Sequence, residues 1–232
     1  MPSHISVIIP ALNEVESIGF VVSSMPWGQI DECIVVDNGS TDGTSEAATA
    51  AGARVISSPR GYGAAIHAGA HAALASSTIL VCMDGDGSDY IEDLPRLVGP
   101  IARDEADFVI GSRMRGRRES GSMLLSQLFA AFLTGWLANL VYGFRYTDMG
   151  PFRAIRRSSL AKMGMTEMTY GWNLEMQLKA IQQRLRIHEI PVNYKRRIGG
   201  ASKVSGNLRA SIETGRRIVA VFLRVRRGAN IQ

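Results

Sequence analysis

The first 112 residues alternate short, β-branched apolar runs with stretches of helical pattern, and each apolar run ends in a polar or glycine-rich cluster. Ile5–Pro10, Glu32–Asp37, Ala53–Ser57, Thr78–Met83 and Phe108–Gly111 read as buried strands. Between them lie four predicted helices: Asn13–Met25, opened by Asn13 with acids in its first turn, Thr44–Gly52, the alanine-rich Gly63–Ala75, and Leu94–Asp104. Such alternation demands right-handed βαβ crossovers, because a parallel neighbour cannot be reached through a tight turn. The fold class is therefore α/β, a mostly parallel sheet flanked by helices. Ligands of these sheets sit outside the carboxyl ends of the strands. The clusters Pro10–Glu14, Asp37–Thr44, Asp84–Asp89 and Gly111–Arg113 all fall at such ends, which predicts one site built from four strand ends.

Charge is divided along the chain. Residues 1–112 carry four arginines against fifteen acids, and residues 113–232 carry twenty-two Lys or Arg against six acids. The first half suits a metal and the second an anionic partner. Cys33 and Cys82 lie inside apolar runs and read as small buried hydrophobes. No signal-peptide pattern opens the sequence, so a cytoplasmic location is expected.

The most specific chemical signal is Asp84-Gly85-Asp86-Gly87, directly after an apolar strand. Two carboxylates one residue apart can share a hard cation, Mg²⁺ or Mn²⁺, whose shell is completed by phosphate oxygens. The alternative is a turn with surface acids. An EF-hand is excluded, since Asp89 and Pro95 stand where its glycine and glutamate belong. The second signal, Val35-Val36-Asp37-Asn38-Gly39-Ser40-Thr41-Asp42-Gly43-Thr44, offers a strand-end carboxylate to a nucleobase, or a plain βα turn. Gly61-Tyr62-Gly63 lacks the third glycine of a dinucleotide fingerprint. His67 and His71 lack a third ligand and read as surface or packing residues.

Taken in order, Val7-Ile8-Ile9-Pro10-Ala11-Leu12-Asn13-Glu14, the Asp37 segment, Gly61-Tyr62-Gly63 with Gly69, and Asp84-Gly85-Asp86 resemble the family 2 glycosyltransferases over essentially the whole chain. The resemblance implies a GT-A, Rossmann-like fold and an inverting transfer from a nucleotide-sugar donor. It implies that Pro10, Ala11, Asn13 and Glu14 wrap the nucleoside with Gly63 and Gly85, that Asp37 binds the base, and that Asp84 and Asp86 hold the metal, with Asp86 at the reacting centre. UDP-glucose is favoured over GDP-mannose on resemblance alone.

The second half is similar to the polyprenyl-phosphate (dolichyl-phosphate-type) members, through Gly111-Ser112-Arg113, Thr147-Asp148-Met149-Gly150-Pro151-Phe152-Arg153-Ala154, Ile190-Pro191-Val192 and Ser202-Lys203. The resemblance implies that Arg113 lies near phosphates and that the basic segment before Ser202-Lys203 flanks the site. Arg113, Arg153, Arg196, Arg197, Ser202 and Lys203 are thus candidate acceptor-phosphate contacts. Two departures stand out: the usual Ser-Gly-Phe-Arg reads Gly150-Pro151-Phe152-Arg153, and the long membrane segments of many members are missing. A phosphate acceptor is already an anionic nucleophile, whereas a hydroxyl needs a base. Glu175, in Gly171-Trp172-Asn173-Leu174-Glu175, is the candidate base, with a structural carboxylate as the competing role.

The leading expectation is a glycosyltransferase domain over residues 1–211 that takes a polyprenyl phosphate. Within it, residues 1–112 form the nucleotide-sugar half and 113–211 the acceptor half. A hydroxyl acceptor with Glu175 as base is the alternative, and a nucleotidyltransferase or nucleotide-binding module ranks lower because Ala11-Leu12-Asn13-Glu14 is acidic where that class carries Arg and Lys. Nucleic acid is not an expected partner, since the basic stretches lack interleaved aromatics. The charge-free segment Ser120–Phe144 reads as a two-faced helix. Gln127, Ala131, Gly135 and Asn139 line one side, and Leu128, Phe129, Phe132, Trp136 and Leu140 the other. A buried or interfacial helix is expected there rather than a membrane span. Residues 212–232 read as a basic amphipathic helix suited to peripheral contact at the inner membrane face. The oligomeric state, a homo-oligomer included, is left open.

Overall fold

The computed structural model describes residues 3–199 and 208–229. Seven strands form one sheet in the order β3-β2-β1-β4-β6-β5-β7. β1 (Ile5–Ala11), β2 (Glu32–Asp37), β3 (Arg54–Ser57) and β4 (Ile79–Cys82) run parallel, as do β5 (Phe108–Ser112) and β7 (Ile187–Pro191). β6 (Arg153–Arg156) lies antiparallel between β4 and β5. The sheet is therefore mostly parallel, as expected, with one reversed strand.

Side chains alternate across the pleat, so each strand feeds two cores. Val7, Ile9, Val35, Val81 and Val109 face α1 (Val15–Ser23), α2 (Thr44–Ala50) and α4 (Leu94–Ala102). Ile8, Ile34, Leu80, Phe108, Ile110 and Ile155 face the opposite layer. That layer comprises α3 (Tyr62–Ala72), α5 (Leu125–Tyr142), α6 (Arg157–Met163), α7 (Trp172–Gln182) and α8 (Leu208–Ala229). Cys33 and Cys82 are buried free thiols, one in each core.

The first helix begins at Val15 rather than Asn13. Asn13 instead takes a left-handed backbone, φ 50°, and its side-chain oxygen accepts from Thr41 N at 2.9 Å. Strands β6 and β7 and helices α6 and α7 have no counterpart among the predicted elements. α5 adopts the expected two-faced form in reverse of the usual sense: Ala131, Thr134, Gly135 and Ala138 are buried, and Phe129, Phe132, Trp136 and Leu140 are exposed, as is Asn139 at the end of the small face. Gly135 makes this seat, because any Cβ there would collide with the Tyr146 carbonyl. Among the described residues, no helix is long and apolar enough to cross a membrane.

Candidate active site

Chain order reverses between β1 and β4, so the loops leaving them splay to opposite layers and open a crevice at their carboxyl ends. The loop after β4 carries Asp84, Asp86 and Asp89 into it. Gly87, at φ +76°, takes a conformation that L side chains rarely adopt. Asp86 Oδ1 accepts from Ser88 N at 2.9 Å and from the Ser88 hydroxyl, and Asp89 Oδ2 accepts from Asp84 N at 3.3 Å. Burial first, then the charges of Asp86 and Asp89, hold the Asp84 carboxyl well above the usual range, with Arg113 opposing them. Burial and Asp86 push the Asp89 carboxyl up to about 7.

A second segment is stitched across this loop. Lys195 N donates to Ser88 O at 3.0 Å, Ile198 N donates to Asp86 O at 2.9 Å, and Asp89 pairs with Tyr194 in an antiparallel bridge. The stitching delivers Arg197, whose Nη2 lies 3.4 Å from Asp86 Oδ2 and 3.2 Å from Glu14 Oε1. Arg113, just past β5, grips Asp148 through Nε at 2.8 Å and Nη2 at 2.9 Å, and its backbone N–H donates to the same carboxylate at 2.8 Å. Its guanidinium also sits over the Tyr194 ring, 5.0 Å from the centroid. Desolvation resists both charges of this pair, yet their mutual attraction wins: Asp148 is lowered and Arg113 raised.

On the β2 side, Asp37 Oδ1 accepts from Gly39 N at 3.1 Å and Ser40 N at 2.8 Å, while Oδ2 accepts from the Ser45 hydroxyl at 2.6 Å. Burial raises its pKa, but these donors outweigh burial and leave it lowered. Asp37 pairs in register with Ala11, which follows Pro10, so the three meet at one sheet edge. Asn13 N and Glu14 N donate to the Ser40 and Thr44 hydroxyls at 2.9 and 2.8 Å, tying the β1 and β2 loops together. Gly85 packs tightly between Ile9 and Ile18, and its carbonyl accepts from the Ser17 hydroxyl.

The structure thus gathers Pro10, Ala11, Asn13, Glu14, Asp37, Asp84, Gly85, Asp86, Arg113 and Arg197 at the carboxyl edge of the sheet. The remaining expected residues make the following contacts. Gly63 donates its N–H to Thr169 O at 3.3 Å and lies against the 167–169 backbone. Arg153 is fully buried, and its guanidinium donates to the carbonyls of Gly150 and Asn173, so it holds two chain segments and does not reach an acceptor phosphate. Arg196 turns away to Ser120 O at 2.6 Å. Ser202 and Lys203 lie outside the described residues.

Glu175, the candidate base, is fully engaged by its neighbours. It is buried and accepts from Thr166 N, the Thr166 hydroxyl at 2.7 Å and Glu167 N at 2.7 Å, and it pairs with Lys179 Nζ at 2.9 Å. Those donors overcome burial and lower its pKa, which is the opposite of what a poised base needs. His67 and His71 bring their Nε2 atoms to 3.3 Å of each other on α3. Asp148, Asp89 and Tyr194 are the functional positions that sequence reasoning missed. Asp148 was visible only as part of a resemblance, and no local pattern marks a partner 35 residues from Arg113.

Among the described residues, no three His, Cys, Asp or Glu side chains converge closely enough to hold a cation unaided. The donor set nonetheless fits a divalent ion that borrows oxygens from its substrate. Asp84 and Asp86 crowd each other, and Asp89 Oδ1 is buried with no hydrogen-bond partner among the described residues. A hard cation with two carboxylates and phosphate oxygens has the shell that Mg²⁺ and Mn²⁺ adopt.

A mostly parallel sheet with an acidic pair at its switch point and arginines facing that pair defines a GT-A glycosyltransferase. The chain belongs to glycosyltransferase family 2, whose family model, Glycosyl transferase family 2, matches residues 6–164. It is 37% identical over 216 residues to an uncharacterized glycosyltransferase of Mycobacterium tuberculosis, across 90% of this chain and 93% of that one. It is 31% identical over 221 residues to the undecaprenyl-phosphate mannosyltransferase of Micrococcus luteus, across 87% of each. Among solved structures, glucosyl-3-phosphoglycerate synthase of Mycobacterium tuberculosis, in complex with Mn²⁺, UDP-glucose and phosphoglyceric acid, matches with a TM-score of 0.75. The identity is 26%, over 96% of this chain and 79% of that one.

Proposed function

We propose that this glycosyltransferase moves a hexose, with inversion, from a nucleoside diphosphate sugar to the phosphate of a polyprenyl phosphate. In this reading Pro10, Ala11, Asn13, Glu14 and Asp37 surround the nucleoside. Gly85 keeps backbone and diphosphate close, and Asp84 and Asp86 hold Mg²⁺ or Mn²⁺. When bound, the cation supplies positive charge to the departing diphosphate. Arg113, fixed by Asp148, and Arg197 hold acceptor and leaving-group phosphates by charge-assisted hydrogen bonds.

One observation carries the choice of acceptor. Glu175, the candidate base for a hydroxyl, is already engaged by Thr166, Glu167 and Lys179, while arginines face the acidic loop. A phosphate needs cations and no proton acceptor. The similarity to undecaprenyl-phosphate mannosyltransferase supports the same reading. A second reading, a small phosphate-bearing acceptor whose hydroxyl attacks the anomeric carbon as the nucleoside diphosphate leaves, draws on the neighbour solved with phosphoglyceric acid. The deciding experiment compares UDP-glucose and GDP-mannose as donors, with Mn²⁺ or Mg²⁺, against a short polyprenyl phosphate and against 3-phosphoglycerate. Transfer to the polyprenyl phosphate and none to 3-phosphoglycerate is expected. The reverse result refutes the proposal and establishes the second reading.

A further inference from the structure

Helix α5 is inside out for a helix on a water-facing domain. Ala131, Thr134 and Ala138 are buried, whereas Phe129 is 65% exposed, Phe132 59%, Trp136 51% and Leu140 67%. These four recur at helical spacing and form one stripe along the outer face. Nothing in residues 120–144 carries a charge. Each of these side chains forgoes burial, and together they make an exposed apolar stripe of the kind that marks an interaction surface.

The neighbourhood of the stripe is cationic. α8 packs chiefly on α7 and also adjoins α5, and its Ile218, Val221, Phe222 and Val225 lie in the same core as Ala138. Its exposed positions include Arg216, Arg224 and Arg226 together with Val219 and Leu223. Arg226 acts electrostatically on Tyr142 at the end of α5, so the two helices adjoin there. Arg145, just beyond α5, is also exposed. Over residues 208–229 the sequence holds six arginines and one acid, Glu213.

We infer that α5 and α8 form a platform that docks on an anionic lipid bilayer, with α5 lying flat in the headgroup layer. Aromatic and aliphatic side chains on one side of a helix, bordered by arginines, are the composition such a layer takes. The main competitor is a second copy of this chain. An isologous dimer through the stripe would set the same arginines against one another without a compensating acid on α5. A bilayer bearing anionic lipid complements them instead. Insertion is parallel to the surface, since no described helix is long and apolar enough to span.

The platform is joined to the site through the segment that follows α5. After α5 the chain reaches Asp148, which clamps Arg113. The inference does not depend on which acceptor is used, and its test contains none.

The experiment is co-sedimentation of the full chain with phosphatidylglycerol-containing vesicles and with pure phosphatidylcholine vesicles, free of any polyprenyl phosphate. Binding to the anionic vesicles that weakens with added salt is expected. The triple variant Phe129→Ser, Phe132→Ser, Leu140→Ser should partition about tenfold less or weaker still. In the otherwise native protein, brominated lipid should quench tryptophan emission, and Trp136→Phe should remove that quenching without any reliance on the triple variant's folding. Unchanged partition of a folded triple variant, or quenching that survives Trp136→Phe, overturns the inference. So does a lipid-free dimer that the triple variant converts to monomer, which would assign the stripe to self-association. Failure here leaves the donor and acceptor assay untouched.

Discussion

Replacing Asp148 by Asn tests whether the site depends on one buried ion pair. Asp148 is fully buried, and the Arg113 side chain is only 12% exposed. The carboxylate accepts three hydrogen bonds from Arg113 and one from Met149 N at 2.7 Å. Asparagine keeps the shape and one oxygen but removes the charge, which leaves the guanidinium uncompensated. Breaking one side of a buried pair costs about 3–5 kcal/mol, and the retained oxygen argues for the lower end, about 3 kcal/mol. For a chain of this size each kcal/mol moves Tm by roughly 2–4 °C, so a fall of about 6–12 °C is expected. Loss of the anchor should also let Arg113 swing, lowering kcat by about 10²-fold. Thermal unfolding and single-substrate kinetics on Asp148→Asn, Arg113→Met and the double variant Arg113→Met, Asp148→Leu separate these effects. The apolar double variant should regain most of the stability and none of the activity. Additive losses in the double variant, or a Tm within about 1 °C of the parent for Asp148→Asn, would refute the pairing argument.

Asp86→Ala should abolish metal-stimulated transfer while the sheet stays intact, because Asp86 sits on the loop and not in a core; transfer that persists in this variant and is indifferent to EDTA would remove Asp86 from metal binding. Glu175→Gln should lower Tm with kcat on the best acceptor almost unchanged, since its partners are Thr166, Glu167 and Lys179; a kcat loss of about 10²–10⁴-fold at constant Tm would instead make it a base. Asp107 is hydrogen-bonded chiefly by Arg186, at the end of the sheet opposite the site, and its pKa is depressed from 3.8 to about 2. Its contribution is therefore fully present above pH 3.8 and is lost as pH falls through about 2, so Asp107→Asn should flatten the acid limb of Tm against pH across that window.

The carboxylate pair was legible because it follows an uninterrupted apolar strand, where position in the sheet and chemistry coincide. The Asp37 loop was legible for the same reason. β6 was hidden: Arg153-Ala154-Ile155-Arg156 is four residues long with an arginine at each end, and it becomes a strand only because β4 and β5 pair with it on both sides. α7 was masked by Glu175 and Gln177, polar residues whose burial rests on partners in other elements, the 166–167 loop and the Asp148 carbonyl. Arg153, Arg196 and Arg197 look alike in sequence. Only tertiary hydrogen bonds send the first inward, the second outward and the third to Asp86. For α5 the sequence displayed both faces but not which one points inward; that was decided by the backbone of Tyr146 pressing on Gly135.

The reversed strand has a consequence for how such chains diversify. A parallel strand presents its exit to the ligand side, and an antiparallel one presents its start. Because β6 is reversed, the whole excursion from Arg113 to Asp148 leaves the sheet and rejoins it at the same edge, and those two residues fasten it like a clasp. Whatever lies between them can be lengthened, trimmed or exchanged without shifting the register of any strand. Under the acceptor role proposed above, preference is rewritten inside one self-closing insert, while the strands that carry Asp37 and Asp84 stay as they are.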